Sequence, residues 1–289
     1  MQIFDATIKE ELNKRLEALE QRFDADVIFY YGEIHPALAK TFRDFIERLR
    51  EVAQPKDRLV VFLNTPGGSA ETVEKMVEII RHHYKDVSFV VPDFAMSAGT
   101  IFCMSGDRIY MDYSSSLGPI DPQVFNGKEW VPALGYLDKV TQLLESARAG
   151  TISNAEFLIL QGIDLATLSR YEQARDLTVT LLKKWLVEYK FRDWLVHETN
   201  PVKRHALVTP EEKAARAEDI AKLLGDNKLW HSHGRMISAV TLQQKLRLRI
   251  DDYSTDTTLK KLIRDYNDLL TEYIARGAHT FFMHSKSYF

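Results

Sequence analysis

The sequence has a single cysteine, Cys103. No intramolecular disulfide can form, and no metal site built from several thiolates is possible. That usage fits a reducing compartment, so a cytoplasmic location is expected. An excess of positive charge is missing as well: 38 Lys and Arg face 41 Asp and Glu, for a formal net charge of −3. A broad basic surface for nucleic acid is therefore not expected. Long apolar runs are absent too. Val27 to Tyr31 and Leu59 to Leu63 are among the longest, and both have the length of a strand, far short of a bilayer span. The opening MQIFDATIKEELNKRLEALEQRF carries charge throughout, unlike the apolar centre of a signal peptide, which leaves peripheral membrane association open. There is no HExxH motif, and the adjacent His82 and His83 would face different directions on a helix. No metal or other cofactor is expected. Internal repeats and low-complexity tracts are lacking.

What remains is ordinary globular material, 45% hydrophobic and 27% charged over 289 residues. That is enough for one large core, or a domain with an appendage. Ile8, Leu12, Leu16, Leu19 and Phe23 recur at helical spacing. Residues 26–31, 58–64, 87–91 and 107–112 read as strands. Residues 36–52, and a stretch carrying Val73, Met76, Val77 and Ile80, read as helices between them. Strands apolar along their whole length need cover on both faces, and alternation with helices implies parallel pairing. The first 125 or so residues thus predict an α/β fold with a parallel sheet and helices on both sides. Residues 155–225 read as mostly helical, with an apolar face of Leu177, Leu181, Leu182, Trp185, Leu186 and Tyr189, and a polar interruption at 197–213. Leu259, Leu262, Tyr266, Leu269 and Tyr273 have the seam spacing of a helix packed along another, within the chain or between subunits.

Two segments could carry chemistry. Asn64-Thr65-Pro66-Gly67-Gly68 follows a buried strand, and its glycines leave backbone N–H groups uncovered to meet a developing oxyanion. Phe94-Ala95-Met96-Ser97-Ala98-Gly99-Thr100 follows the third strand and sets a serine at the start of a helix. Each alone is ordinary: Pro-Gly-Gly usually makes a turn, and such a serine usually caps a helix. On successive strand-to-helix turns of one parallel sheet they converge at the carboxyl ends of the strands, where such sheets build their sites. Ser97 is then a candidate nucleophile, and the N–H groups of the Gly67-Gly68 turn and of Ala98 candidate oxyanion donors.

NTPGG, AMSAGT and DRIYMDYSSSLGPIDPQ together resemble the Clp/crotonase superfamily. They are most similar to the serine dehydrogenase proteinase family, relatives of Clp proteolytic subunits and signal peptide peptidase A. His233-Gly234-Arg235-Met236-Ile237-Ser238 and Leu246 to Asp251 resemble a later element of those families, so the likeness runs from about residue 25 to 252. It implies a Clp-type spiral of ββα units over residues 1–252, with a helical insertion at about 155–225 and a C-terminal helical extension over 253–289. It further implies serine-type peptide-bond hydrolysis, a peptide or protein substrate, and a homo-oligomer.

The likeness breaks at the general base. A serine hydroxyl needs a group to take its proton. Where Clp subunits carry a histidine, this sequence has Asp121, held between Pro119 and Pro122; the Clp aspartate would match Asp251. The lysine motif of signal peptide peptidase A is also absent. An archaeal stomatin-cleaving relative takes its lysine about forty residues after the serine, and Lys139 lies forty-two residues after Ser97. Leu137, Val140, Leu143 and Leu144 would desolvate Lys139 and ease its loss of a proton. A Ser97–Lys139 dyad is the expectation. Lys128 is a second lysine candidate, and Asp121 and His233 are possible supporting groups; for the histidine, a place beside the loop with no part in chemistry is the commoner outcome. An inactive peptide-binding scaffold and an acyl-CoA enzyme of the crotonase branch are the competing functions.

Overall fold

Helix α1 (Gln2–Phe23) opens the chain and buries Leu12, Leu16 and Leu19 on one stripe. The computed structural model describes residues 2–51, 54–125, 130–198 and 201–288. Strand β1 (Asp26–Gly32), a 3-10 turn at Pro36–Leu38 and helix α2 (Ala39–Arg50) come next. The alternation then continues through β2 (Arg58–Asn64), α3 (Ala70–His83), β3 (Asp86–Val90), the short β4 (Phe94–Ala95), α4 (Ala98–Met104) and β5 (Arg108–Met111). Beyond β6 (Ser116–Leu117) and the hairpin β7 (Gln123–Phe125) and β8 (Trp130–Pro132), helices take over. These are α5 (Ala133–Arg148), α6 (Asn154–Gln161), α7 (Leu165–Trp185), which runs into a π-turn at Leu186–Lys190, and α8 (Pro210–Gly225). The chain then forms α9 (Asn227–Trp230), β9 (Ile237–Ser238), α10 (Ala239–Lys245), β10 (Asp251–Asp252), α11 (Thr257–Arg276) and β11 (Phe281–His284).

The central sheet has the order β10-β5-β3-β2-β1-β11, parallel throughout except for β11, which pairs antiparallel with β1. Successive residues of a strand point to opposite faces, and both faces are buried. Ile28, Tyr30, Leu59, Val61 and Leu63 join the cluster under α2, α3, α4 and α7. Val27, Phe29, Val60 and Phe62 join the cluster under α1 and α11. The apolar runs are continuous because the sheet is covered twice. Phe62 meets Tyr266 of α11 edge-on, with centroids 5.4 Å apart; truncating it to alanine would cost about 3–5 kcal/mol. The result is a mixed α/β fold on a mostly parallel sheet, as the Clp-type reading requires.

Two expectations need correction. The seam of the last helix is Leu259, Ile263, Tyr266, Leu270 and Ile274, and it is spent inside the chain, against α1 and the sheet. Leu262 and Leu269 are partly buried and pack against the same cluster, so the stripe serves packing within the chain. Nor are residues 253–289 helical throughout, since β11 completes one edge of the sheet. Among the described residues no helix is long and apolar enough to cross a membrane.

Candidate active site

Two strand-to-helix turns lie against each other. The N–H of Thr65, just past β2, donates to Phe94 O (3.1 Å), and the N–H of Met96 donates back to Thr65 O (3.0 Å). This two-way bond locks the Thr65–Gly68 turn to the Met96–Gly99 turn. Glycines make the contact possible. A Cβ on Gly67 would sit 2.8 Å from Ser97 Cβ and 2.9 Å from Met96 O, and one on Gly99 would sit 2.4 Å from Thr65 Cγ2. At Gly67 (φ 112°) and Gly68 (φ 142°) the backbone lies where a side chain is strained. Gly68 passes so near Ile34 O that a Cβ would overlap it at 2.1 Å.

Two serines open helices here, and they behave differently. Ser69 accepts the N–H of Thr72 at 3.0 Å, as an ordinary N-cap does. Ser97 makes no capping bond and has φ 51°, ψ −116°, a conformation costing about 1–3 kcal/mol for a residue with a Cβ. Its side chain is half-buried at the tight strand–turn–helix junction. Among the described residues its hydroxyl has no hydrogen-bond partner. Ala98 is the first residue of α4, so its N–H has no partner within the helix.

Gly67 does not join the donors. Its N–H is taken by Thr65 Oγ1 (3.1 Å) and its carbonyl by the N–H of Ile34 (2.8 Å). Its role is to make room beside Ser97. Neither the N–H of Gly68 nor that of Ala98 has a hydrogen bond among the described residues.

A three-stranded sheet, β4-β6-β9, brings in the remaining candidates. Beyond β6, the 118–122 turn is bound to α4: Thr100 Oγ1 accepts the N–H of Gly118 (2.9 Å) and lies 2.9 Å from Gly118 O and 2.8 Å from Ala95 O. Asp121 is buried. Its Oδ1 lies 2.8 Å from His233 Nδ1, and its Oδ2 accepts from Gln123 Nε2 at 2.9 Å. Asp251 sits apart, in β10 beside Tyr110, with Arg249 at 3.8 Å.

Lys139 has different surroundings from those expected. Leu137, Val140 and Leu143 turn inward from α5, and Lys139 is exposed. Its charge acts on Glu156 of α6, whose carboxyl is held low mainly by hydrogen bonds from Ser153. It is thus an exposed helix lysine, without the apolar cleft expected around it. Lys128 lies outside the described residues. Burial pushes the Lys190 amine down to about 8, but Lys190 acts on Cys103 near the far end of α4, roughly 9 Å of helix rise from Ser97. Burial pushes the Cys103 thiol up, which removes it as a competing nucleophile.

Sequence reasoning passed over Thr65 and Thr100. Both are buried hydroxyl residues within the two glycine-containing segments, and a buried hydroxyl must find a partner; that was the available signal.

A family model described as ClpP-like SDH-type serine proteinase matches residues 40–200. Two proteins of Methanocaldococcus jannaschii are similar over shorter stretches. Uncharacterized protein MJ0137 is 36% identical over 86 residues, covering 29% of this chain and 30% of that one. Uncharacterized protein MJ1495 is 33% identical over 135 residues, covering 46% and 43%. The matches therefore span less than half the length of these curated relatives. Among solved structures, a 1510-N membrane-bound stomatin-specific protease aligns with a TM-score of 0.31 at 20% identity, over 42% of this chain and 62% of that one. The catalytic domain of the ClpP protease from Plasmodium falciparum aligns with a TM-score of 0.30 at 13% identity, over 54% and 86%.

Proposed function

The chain belongs to the ClpP-like SDH-type serine proteinase family, and on that premise we propose that it hydrolyses peptide bonds through an acyl-enzyme on Ser97. One observation carries this reading. Ser97 combines a strained, left-handed backbone with a hydroxyl that no cap consumes, directly against a double-glycine turn. Strain of this kind persists only where the surroundings enforce it, and it gathers at active sites.

Ser97 Oγ attacks the scissile carbonyl carbon as its proton passes to a base. The carbonyl oxygen becomes an oxyanion, held by the N–H groups of Gly68 and Ala98. The intermediate collapses, the amine leaves with the proton, and water then releases the acid from Ser97. Removing one such donor costs about 10²–10³ in turnover in comparable sites. The substrate class is a peptide or protein, and the active form is a homo-oligomer. Spacing alone supports Lys139 as the base; its exposure on α5 weighs against that role.

Ser97→Ala tests the reading. Hydrolysis of fluorescein-labelled casein and covalent capture of a fluorophosphonate probe should both vanish, with the circular dichroism spectrum unchanged. Casein hydrolysis that survives in the pure variant would remove Ser97 as nucleophile.

A further inference from the structure

The position that supplies a histidine in Clp subunits holds an aspartate here, yet a histidine reaches the same place from another element. We propose that His233, oriented by Asp121, is the general base that takes the proton of Ser97. This inference rests on the peptidase reading above.

Strand pairing sets the geometry. β4 and β6 run parallel, with Ala95 opposite Leu117, and β6 and β9 run antiparallel, with Leu117 opposite Ile237. The exits of β4 and β6 and the entry to β9 therefore share one edge. Ser97, the 118–122 turn and the His233 loop all emerge there. Ala95 and Ile237 are two strand spacings apart, about 10 Å between backbones; Ser97 follows the first by two residues and His233 precedes the second by four. A serine and an imidazole that point towards each other can bridge such a span.

The turn between them is clamped. Gly118 is tied to Thr100 by its N–H, and a Cβ on Gly118 would lie 2.7 Å from Met96 Cε and 3.2 Å from Met96 Cα. The N–H of Ile120 donates to Leu224 O (3.0 Å), and Pro122 O accepts the N–H of Ala133 (2.9 Å). Asp121 is thereby fixed with 2% of its side chain exposed, and both its carboxylate oxygens are engaged. A carboxylate only accepts, so His233 Nδ1 carries the hydrogen and Nε2 is left as the acceptor. Among the described residues Nε2 has no partner, and neither does Ser97 Oγ. The two unfilled positions are a proton acceptor and a proton donor at one sheet edge. His233 keeps 27% of its side chain exposed, on a loop whose neighbours Ser232, Gly234 and Arg235 are exposed as well. That loop can shift to bring Nε2 within hydrogen-bond reach, since catalytic hydrogen bonds are often long before substrate arrives. Gln123, which holds the second carboxylate oxygen, and Asp121 act through His233 and are positioning residues.

The test compares His233→Ala, Lys139→Ala and Asp121→Asn with the wild-type chain. Casein hydrolysis and the rate of fluorophosphonate capture at Ser97 are followed in each, with folding checked by circular dichroism. His233→Ala should lose about 10²–10⁴-fold in both, and added imidazole should restore part of the rate. Lys139→Ala should stay within about threefold of wild type, taking a solvated lysine off the surface. Asp121→Asn should lower kcat with KM little changed, which a bracing role alone would not do. Full activity in a folded His233→Ala, or a collapse confined to Lys139→Ala, overturns the proposal and leaves the peptidase reading standing. A wild-type chain that neither cleaves casein nor captures the probe removes both together.

Discussion

At Ser97 the chain holds a serine where a glycine would be more comfortable. The hydroxyl is useful to chemistry and the Cβ is a burden on stability, so the two properties separate by substitution. Ser97→Gly should relieve the left-handed backbone and stabilise the fold by about 1 kcal/mol, while Ser97→Ala, which keeps the Cβ, should leave stability nearly level. A thermal melt of the three proteins reads this directly; equal melting temperatures for Gly and Ala variants would mean that Ser97 is not strained. The neighbouring glycine gives the opposite result. Gly67→Ala puts a methyl group 2.8 Å from Ser97 Cβ at a φ of 112°, and should cost about 1–3 kcal/mol and displace the nucleophile. Its Tm should fall and its activity should fall further than the residual folded fraction explains.

Among the elements, the last strand carries a titratable group that ties sheet to helix. His284 of β11 is buried, with Nδ1 2.7 Å from the Tyr266 hydroxyl and Nε2 3.1 Å from Asn13 Oδ1. Tyr266 donates to Nδ1, so Nε2 carries the hydrogen and the ring is neutral. Burial lowers its pKa from 6.5 to about 4. A depressed value means that the unfolded chain takes up a proton before the folded one does. Stability is therefore full above about pH 6.5 and declines as pH falls towards 4, by up to about 3 kcal/mol. Urea melts at pH 7 and pH 5 should show a smaller loss in His284→Gln than in wild type. Legibility differs across the elements. The residues of β1 and β2 announce themselves as continuous apolar runs, and those of α3 through burial at the helical period. β11 escapes notice because its four residues carry no period of their own and are ordered by an edge that the distant β1 supplies. The pairing of His233 with Asp121 escapes for the same reason: it depends on the three short strands β4, β6 and β9, two residues each, too short to be seen in any pattern. The turns at Gly67-Gly68 and at Ser97 are legible because turns speak through single residues.

For the whole molecule, the open question of self-association moves from α11 to α6. Phe157, Leu158 and Ile159 are 47%, 68% and 61% exposed, and Leu165 nearby is 75% exposed. Such a cluster is unusual on a surface that meets only water. The protein should run as a homo-oligomer in light scattering at micromolar concentration, and Leu158→Glu with Ile159→Lys should shift it towards the monomer mass. A monomeric wild type would count against the oligomer. The antiparallel pairing of Phe29 with His284 has a further consequence, for synthesis. About 250 residues separate β1 from β11, so while the ribosome makes that stretch one side of β1 has no strand to pair with. Unpaired edges recruit other chains. The nascent chain will need either a chaperone on that edge or a pause before it meets its neighbours.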